Sequence, residues 1–277
     1  MRAAVVQMNS TAEVAHNLEV AERLVRDAAR AGADLVVLPE KWNLLGDGAA
    51  LRAGAEPLDG GSISAARGWA SELGLVLVAG SFAERGEGER AFNTSVLIDA
   101  DGEIVTTYRK IHMFDVDVGG VSYRESENEE AGEEVVVAEA GGIEIGMSVC
   151  YDIRFPELYR ILAVRGARAF TVPSAFTLHT GRDHWEVLMR ARAIENQAFV
   201  VAADQFGQAP PHYDSYGRSM IVDPWGVVLA VAPDGDAVAT AELDLAAQER
   251  VRRSLPSLAN RRPQAYRWPD LVEAGHG

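Results

Sequence analysis

The segment 34–39, Asp-Leu-Val-Val-Leu-Pro, is apolar at every position from 35 to 38, and this limits the fold more than any other feature of the chain. Successive residues of a strand point to opposite faces, so an unbroken apolar run needs cover on both. That is the environment of a central strand in a helix-covered sheet. Residues 2–8, 75–82, 169–173 and 199–203 read as further strands of this kind. Helices are predicted between them. In 17–31, Leu18, Ala21, Val25 and Ala28 share one face while Glu22, Arg26 and Arg30 line another, and Gly32 ends the run. The others are 62–73 before Gly74, 155–165 with Pro156 in the first turn, 183–196 with Glu186 and Arg190 at i,i+4, and 246–253.

Several strands are joined by tight turns instead. Residues 93–99 and 103–108 flank Asp101-Gly102, 134–139 and 143–149 flank Gly141-Gly142, and 219–222 and 227–232 flank Asp223-Pro224-Trp225-Gly226. A last strand is expected at 237–243. Helix-linked and hairpin-linked strands together predict mixed sheets covered by helices, a layered α/β sandwich. No fixed-period repeat and no Pro/Ser-rich linker divides the chain, so residues 1–277 are expected to form one domain. The Arg- and Pro-rich tail, 254–277, is expected to be an arm packed on another subunit.

Composition narrows the function classes. At 48% hydrophobic and 24% charged residues, the chain can bury a substantial core. A formal net charge of -15 repels phosphate backbones and anionic lipid, so neither nucleic acid nor a membrane surface is an expected partner. No apolar run reaches the length of a membrane span, and the N-terminus lacks the pattern of a secretory signal. The single cysteine, Cys150, permits no intrachain disulfide and fits a reducing, cytoplasmic setting. Lysine occurs only twice, at Lys41 and Lys110; the other 24 of the 26 basic residues are arginine. A lysine kept in such a chain marks a place where a compact ammonium is needed, unless it is there by chance.

Three of these residues fall at expected strand ends. Cys150 closes an apolar run just before a helix, as at a nucleophile elbow, where the following backbone N–H faces a developing oxyanion. Taken alone it reads more readily as a buried core thiol than as a nucleophile. Glu40 follows Pro39 at the end of its strand, and Lys110 ends the second arm of a hairpin. Strand ends of open α/β sheets converge on one crevice. A thiolate there can attack an amide or nitrile carbon, an ammonium can steady the oxyanion, and a carboxylate can shuttle the protons. Metal and phosphate chemistry have weak support: His179 and His184 are five residues apart, and no HExxH, CxxC or phosphate-binding glycine loop is present. The six glutamates of 125–134 read mainly as a solvated loop.

With these residues in view, the chain resembles the nitrilase superfamily of carbon–nitrogen hydrolases over nearly its full length. The matching segments are LVVLPE (35–40), YRKIHMFD (108–115), GMSVCYDIRFPEL (146–158), PSAF (173–176), HWEVLMRARAIENQ (184–197) and SYGRSMIVDPWG (215–226). The resemblance implies that Glu40 is the general base, Lys110 the oxyanion-stabilising lysine and Cys150 the nucleophile. It implies a second, supporting glutamate in an "ES" pair, which is Glu125 before Ser126, with Glu127 as the alternative. Tyr151 would lend its backbone N–H to the oxyanion. Ser174, Phe176, His184 and Trp185 are candidates for the pocket wall, and Arg154 and Arg182 are cations for an anionic substrate. The implied fold is a four-layer α-β-β-α sandwich that forms a homodimer or larger assembly, and no cofactor is implied. The wording is most similar to the branch of deaminated glutathione amidases and omega-amidases, which implies a small amide on a 2-oxoglutaramate skeleton. Two alternatives stay open: a nitrilase or N-carbamoyl amino acid amidohydrolase using the same site, and a catalytically silent scaffold of the same fold.

Overall fold

The computed structural model describes residues 1–209 and 213–265. Among them the helices are α1 (Val14–Arg30), α2 (Gly48–Ala53), α3 (Gly61–Leu73), α4 (Pro156–Val164), α5 (Leu178–Asn196) and α6 (Leu245–Ser254). Two main sheets stack face to face. The first runs from Ala237–Glu242 across Arg2–Gln7, Leu35–Val37, Val76–Val78 and Ala91–Ile98 to Phe82–Arg85; Ile104–Arg109 and Glu129–Glu130 also pair with Ala91–Ile98. The second has the order Val137–Ala140, Ile143–Met147, Ala169–Ser174, Phe199–Asp204, Met220–Val222 and Val228–Val231. Each sheet has three parallel strands at its centre and antiparallel strands outside them, except for the short Glu129–Glu130, which pairs in parallel with Ala91–Ile98.

The apolar runs supply both faces of the first sheet. Ala3, Val5, Leu35, Val37, Val76 and Val78 face the second sheet and join Ile145, Val172 and Val201 in one core. Their neighbours Ala4, Val6, Val36, Leu38 and Leu77 point the other way and pack under α1 and α3, against Leu24, Val25, Ile63 and Trp69. The far side of the second sheet is closed by Leu158, Tyr159 and Leu162 of α4 and Trp185, Met189 and Ala193 of α5. Burying each large side chain stabilises the fold by about 1.5–3 kcal/mol, so the period-two pattern fixes strand register strongly. The result is the expected four-layer α-β-β-α sandwich. No described helix is long and apolar enough to cross a membrane.

Three departures from the sequence reading have local causes. The strand expected at 75–82 ends at Val78, and a separate antiparallel strand runs Phe82–Arg85. Gly80 makes the break: its φ is +43°, and a Cβ there would collide with the carbonyl oxygen of Pro39. Helix α5 begins at Leu178 rather than 183, because Thr177 caps it, with its hydroxyl accepting from the Thr180 N–H. Three short pieces were not foreseen: α2, the hairpin of Asp115–Val118 with Val121–Arg124, and the hairpin of Phe206–Ala209 with Tyr213–Tyr216. Of the expected arm 254–277, residues 266–277 lie outside the described part of the chain.

Candidate active site

The site forms where strand ends from both sheets meet. Glu40 follows Leu35–Val37, Lys110 follows Ile104–Arg109, and Cys150 follows Ile143–Met147. The loop after Ala169–Ser174 closes the fourth side through Ala175 and Phe176. A cavity of about 260 Å³ opens over them, lined by these residues together with Glu125, Tyr151 and Arg154.

Lys110 is at the centre and is 1% exposed. Its ammonium lies 2.8 Å from each oxygen of Glu125 and 3.0 Å from Oε1 of Glu40. Burial alone would drive the proton off, but the charges of Glu125 and Glu40 outweigh it and hold Lys110 well above the usual lysine range. Glu40 also accepts from Asn93 Nδ2 at 2.8 Å, and the Ala175 N–H donates to its Oε2 at 2.8 Å. Glu125 accepts from the Phe114 N–H at 2.7 Å. Burial pushes its carboxyl up, yet Lys110 and Lys41 pull it further down, and it remains a carboxylate.

Cys150 occupies a bend that ordinary residues avoid, with φ at +47°. The turn is held by Asp152, which is fully buried. Its Oδ2 accepts from the Val149 N–H at 2.8 Å and the Tyr108 hydroxyl at 2.7 Å; its Oδ1 accepts from the His112 N–H at 3.2 Å. From α5, Arg192 Nε donates to the Ile153 carbonyl at 2.8 Å. The thiol lines the cavity beside Glu40. Burial first, and then the charge of Glu40, raise the thiol well above its ordinary range, while Lys110 opposes them. The resting group is therefore a thiol beside a carboxylate able to take its proton. Tyr151 stands in the first turn of the short helix Cys150–Arg154, where backbone N–H groups lack partners within the helix and can face an oxyanion.

The expected residues divide into two sets. Glu40, Lys110, Glu125, Cys150, Tyr151, Arg154 and Phe176 line the cavity. Glu127 is exposed, so of the two glutamates proposed for the supporting role only Glu125 meets the lysine. Ser174, His184 and Trp185 do not line it, which corrects their assignment to the pocket wall. Ser174 is fully buried behind Glu40, with its hydroxyl turned to the Val172 carbonyl at 3.3 Å. Trp185 packs edge-on against Phe176 and donates to the Arg218 carbonyl, while His184 lies outside, 3.2 Å from Arg154 Nη1. Arg182 is exposed away from the cavity.

Sequence reasoning also missed residues. Glu129, read as part of a solvated loop, is 2% exposed, because Glu129–Glu130 pairs in parallel with Ala91 and Phe92 and is drawn under the site. Burial and the charge of Glu125 push it up to about 7 against the pull of Lys41. Lys41 lines the cavity, and its ammonium sits 2.6 Å from Glu129 Oε1. The signal for Lys41 was available, since it is one of only two lysines and follows Glu40 directly. For Glu129 no signal separated it from its acidic neighbours. Asp204 is a third, accepting from the Phe176 N–H at 2.8 Å and so fixing the loop opposite Cys150.

The profile of the family described as carbon-nitrogen hydrolase matches residues 2–253. The chain is 43% identical over 272 residues to the deaminated glutathione amidase of Homo sapiens, covering 95% of this chain and 83% of that protein. It is 37% identical over 266 residues to omega-amidase NIT2 of Danio rerio, covering 96% of each. Among solved structures, the NitFhit protein of C. elegans superposes with a TM-score of 0.91 at 36% identity, over 96% of this chain and 66% of that longer one.

Proposed function

Since this chain belongs to the carbon–nitrogen hydrolase family and hydrolyses carbon–nitrogen bonds other than peptide bonds, we propose that Cys150, Lys110, Glu40 and Glu125 carry out its amidase chemistry by way of a thioester. Cys150 Sγ attacks the amide carbonyl carbon as Glu40 takes the thiol proton. The oxyanion is met by the Tyr151 N–H and the Lys110 ammonium. Glu40 then gives its proton to the leaving nitrogen, and ammonia or an amine departs. With the thioester in place, Glu40 takes a proton from water, which attacks the same carbon and releases the acid and the thiol. Glu125 keeps Lys110 charged and in place. Nucleophile, base and oxyanion donors are all supplied by the chain, so the scheme needs no cofactor.

One observation carries this reading: a thiol that shares its cavity with a buried carboxylate, which in turn shares a buried ammonium with a second carboxylate. For the substrate, we place the chain with relatives named for deaminated glutathione and omega-amides, and assign it a small carboxylate-bearing amide. Arg154 supports this choice, because it offers a positive charge at the cavity in a chain of net charge -15. The same reading puts the enzyme in a reducing compartment, in keeping with its lone thiol. It also predicts a homodimer or larger assembly, supported by exposed Ile161 and Val164 on α4 and Val187 and Ile194 on α5.

The test is a panel assay with purified protein: 2-oxoglutaramate and deaminated glutathione against nitriles and N-carbamoyl amino acids, with mass spectrometry of Cys150 for an acyl adduct. Hydrolysis of the 2-oxo amides with acylation of Cys150 is expected. Preference for a nitrile or a carbamoyl compound would replace the substrate assignment. A thiol that reacts neither with substrates nor with iodoacetamide would favour a silent scaffold.

A further inference from the structure

Both lysines of this chain stand in one buried cluster, and only one of them takes part in the scheme above. The charged side chains form an unbroken alternating row: Glu40, Lys110, Glu125, Lys41, Glu129. The successive N–O distances are 3.0, 2.8, 3.4 and 2.6 Å. The whole row is withdrawn from water, with side-chain exposures of 4%, 1%, 10%, 12% and 1%. Each ammonium lies between two carboxylates, and Glu125 lies between the two ammoniums.

We infer that Lys41 is a positioning residue for the amidase reaction: its ammonium bridges Glu125 and Glu129 and thereby fixes Glu125 against Lys110. This rests on the roles given above to Cys150 and Lys110. Glu125 begins a single helical turn, Glu125–Glu127, and the chain regains sheet pairing only at Glu129–Glu130. The Glu125–Asn128 turn therefore lies between two paired strands without strand pairing of its own, held at the backbone by the Ser126 N–H on Asp115 Oδ1 and the Ala91 N–H on the Asn128 carbonyl. Lys41 ties Glu125 and Glu129 to the end of the strand that carries Glu40. The backbone is shaped for this. Lys41 has φ at +55°, in the left-handed region that residues with a Cβ seldom enter, and its N–H donates to Ser81 Oγ at 3.1 Å. An arginine would not serve, because a planar fork cannot sit as a point charge between two carboxylates on different sides. In a chain that otherwise uses arginine throughout, lysine at both junctions of the row fits that requirement.

The competing role for Lys41 is to neutralise Glu129 and nothing more. A double substitution separates the two. The primary readout is the rate at which iodoacetamide alkylates Cys150 at pH 8, which needs no substrate and so stands apart from the outcome of the panel assay. Lys41→Met should slow alkylation about ten- to a hundredfold, the scale of loss expected from misplacing a reacting group's support. Lys41→Arg should not rescue it. In Lys41→Met/Glu129→Gln the charge of Glu129 is gone as well. If Lys41 positions Glu125, the double variant stays as slow as Lys41→Met. If Lys41 only balances Glu129, the double variant returns to the wild-type rate, and the inference is overturned. A Lys41→Met protein that alkylates at the wild-type rate overturns it too. On the best amide of the panel, kcat should fall with the alkylation rate while KM changes less than about threefold, since Lys41 acts through Glu125 and Lys110. Thermal unfolding of all three variants checks that they fold; a lowered Tm with unchanged alkylation and kcat would mark Lys41 as merely structural.

Discussion

Glu125 grips Lys110 through both carboxylate oxygens, each 2.8 Å from the ammonium, whereas Glu40 reaches it through one. The asymmetry separates two tasks. Glu125 keeps the lysine charged and placed, and Glu40 keeps one oxygen for Ala175 and faces the same cavity as the thiol. Lys110→Arg tests the fit. The lysine is 1% exposed between two carboxylates, and a guanidinium must push one of them aside. The expected loss in kcat/KM is about 10²–10³-fold, the scale of removing an oxyanion donor. Steady-state kinetics that keep more than a tenth of wild-type kcat/KM would take Lys110 out of oxyanion stabilisation.

Glu40→Gln separates the two influences of that carboxylate on Cys150. Burial raises the thiol, the Glu40 charge raises it further, and Lys110 opposes them. In the wild-type protein the thiolate therefore emerges only above the ordinary thiol range, and alkylation should still be climbing beyond pH 9. Removing the Glu40 charge removes an upward push, so the alkylation profile of Glu40→Gln should move to lower pH. Amide turnover should move the other way and fall about 10²–10⁴-fold, because the proton carrier is lost. The pH profile of alkylation, followed by mass spectrometry, reads the first effect, and initial rates read the second. A profile displaced to higher pH would mean that Glu40 does not face the thiol as its ionised form.

What the sequence made legible follows from how each element is stabilised. The central strands announced themselves because residues such as Val36 and Val37 must bury opposite faces, and no other arrangement tolerates that run. The catalytic trio was legible for a related reason: Glu40, Lys110 and Cys150 each stand at the end of such a run or of a turn-marked hairpin. The hairpin Asp115–Val118 with Val121–Arg124 was not, since its two four-residue strands, Asp-Val-Asp-Val and Val-Ser-Tyr-Arg, are too short and too polar for their alternation to stand out, and they pack on the site rather than on the core. Glu129 stayed hidden because its burial is made by strand pairing with Ala91, a contact between residues 38 positions apart. Ser174 and Trp185 were placed on the pocket wall for their neighbourhood in sequence. In the fold, alternation along Ala169–Ser174 turns the serine hydroxyl back toward Val172, and the helical period of α5 turns the indole inward.

The bend at Cys150 has a measurable cost. At φ +47° a residue with a Cβ is strained by about 1–2 kcal/mol, and glycine is not. Both Cys150→Ala and Cys150→Gly should abolish turnover. They should differ in stability, with the glycine protein melting higher, by roughly 2–4 °C for each kcal/mol relieved in a chain of this size. Asp152→Ala should be far more damaging, since it strips the Val149 N–H and the Tyr108 hydroxyl of their buried acceptor; about 2–4 kcal/mol is expected from the orphaned donors. Calorimetry of the three variants gives the order. An alanine protein as stable as the glycine one would show that the bend is not strained in solution.

Arg154 differs from the other cations at the cavity. Lys41, Lys110 and Arg124 each pair with a carboxylate of the chain, whereas among the described residues Arg154 forms no such pair. Its guanidinium lies 5.2 Å from the ring centre of Phe176 and 5.9 Å from that of Tyr151, a placement that holds the fork over the mouth without neutralising it. A substrate carboxylate would supply the missing charge. Arg154→Leu should therefore raise KM for a carboxylate-bearing amide about ten- to a hundredfold, the range of a hydrogen bond to a charged group. Values for a neutral amide such as butyramide should hardly change, and kcat should hold for both, because the reacting carbon lies at Cys150. Salt sharpens the distinction: added sodium chloride should raise KM for the charged amide in the wild-type protein and lose that effect in Arg154→Leu. Equal losses for charged and neutral amides would assign Arg154 to the architecture of the Cys150–Arg154 turn instead of to substrate recognition.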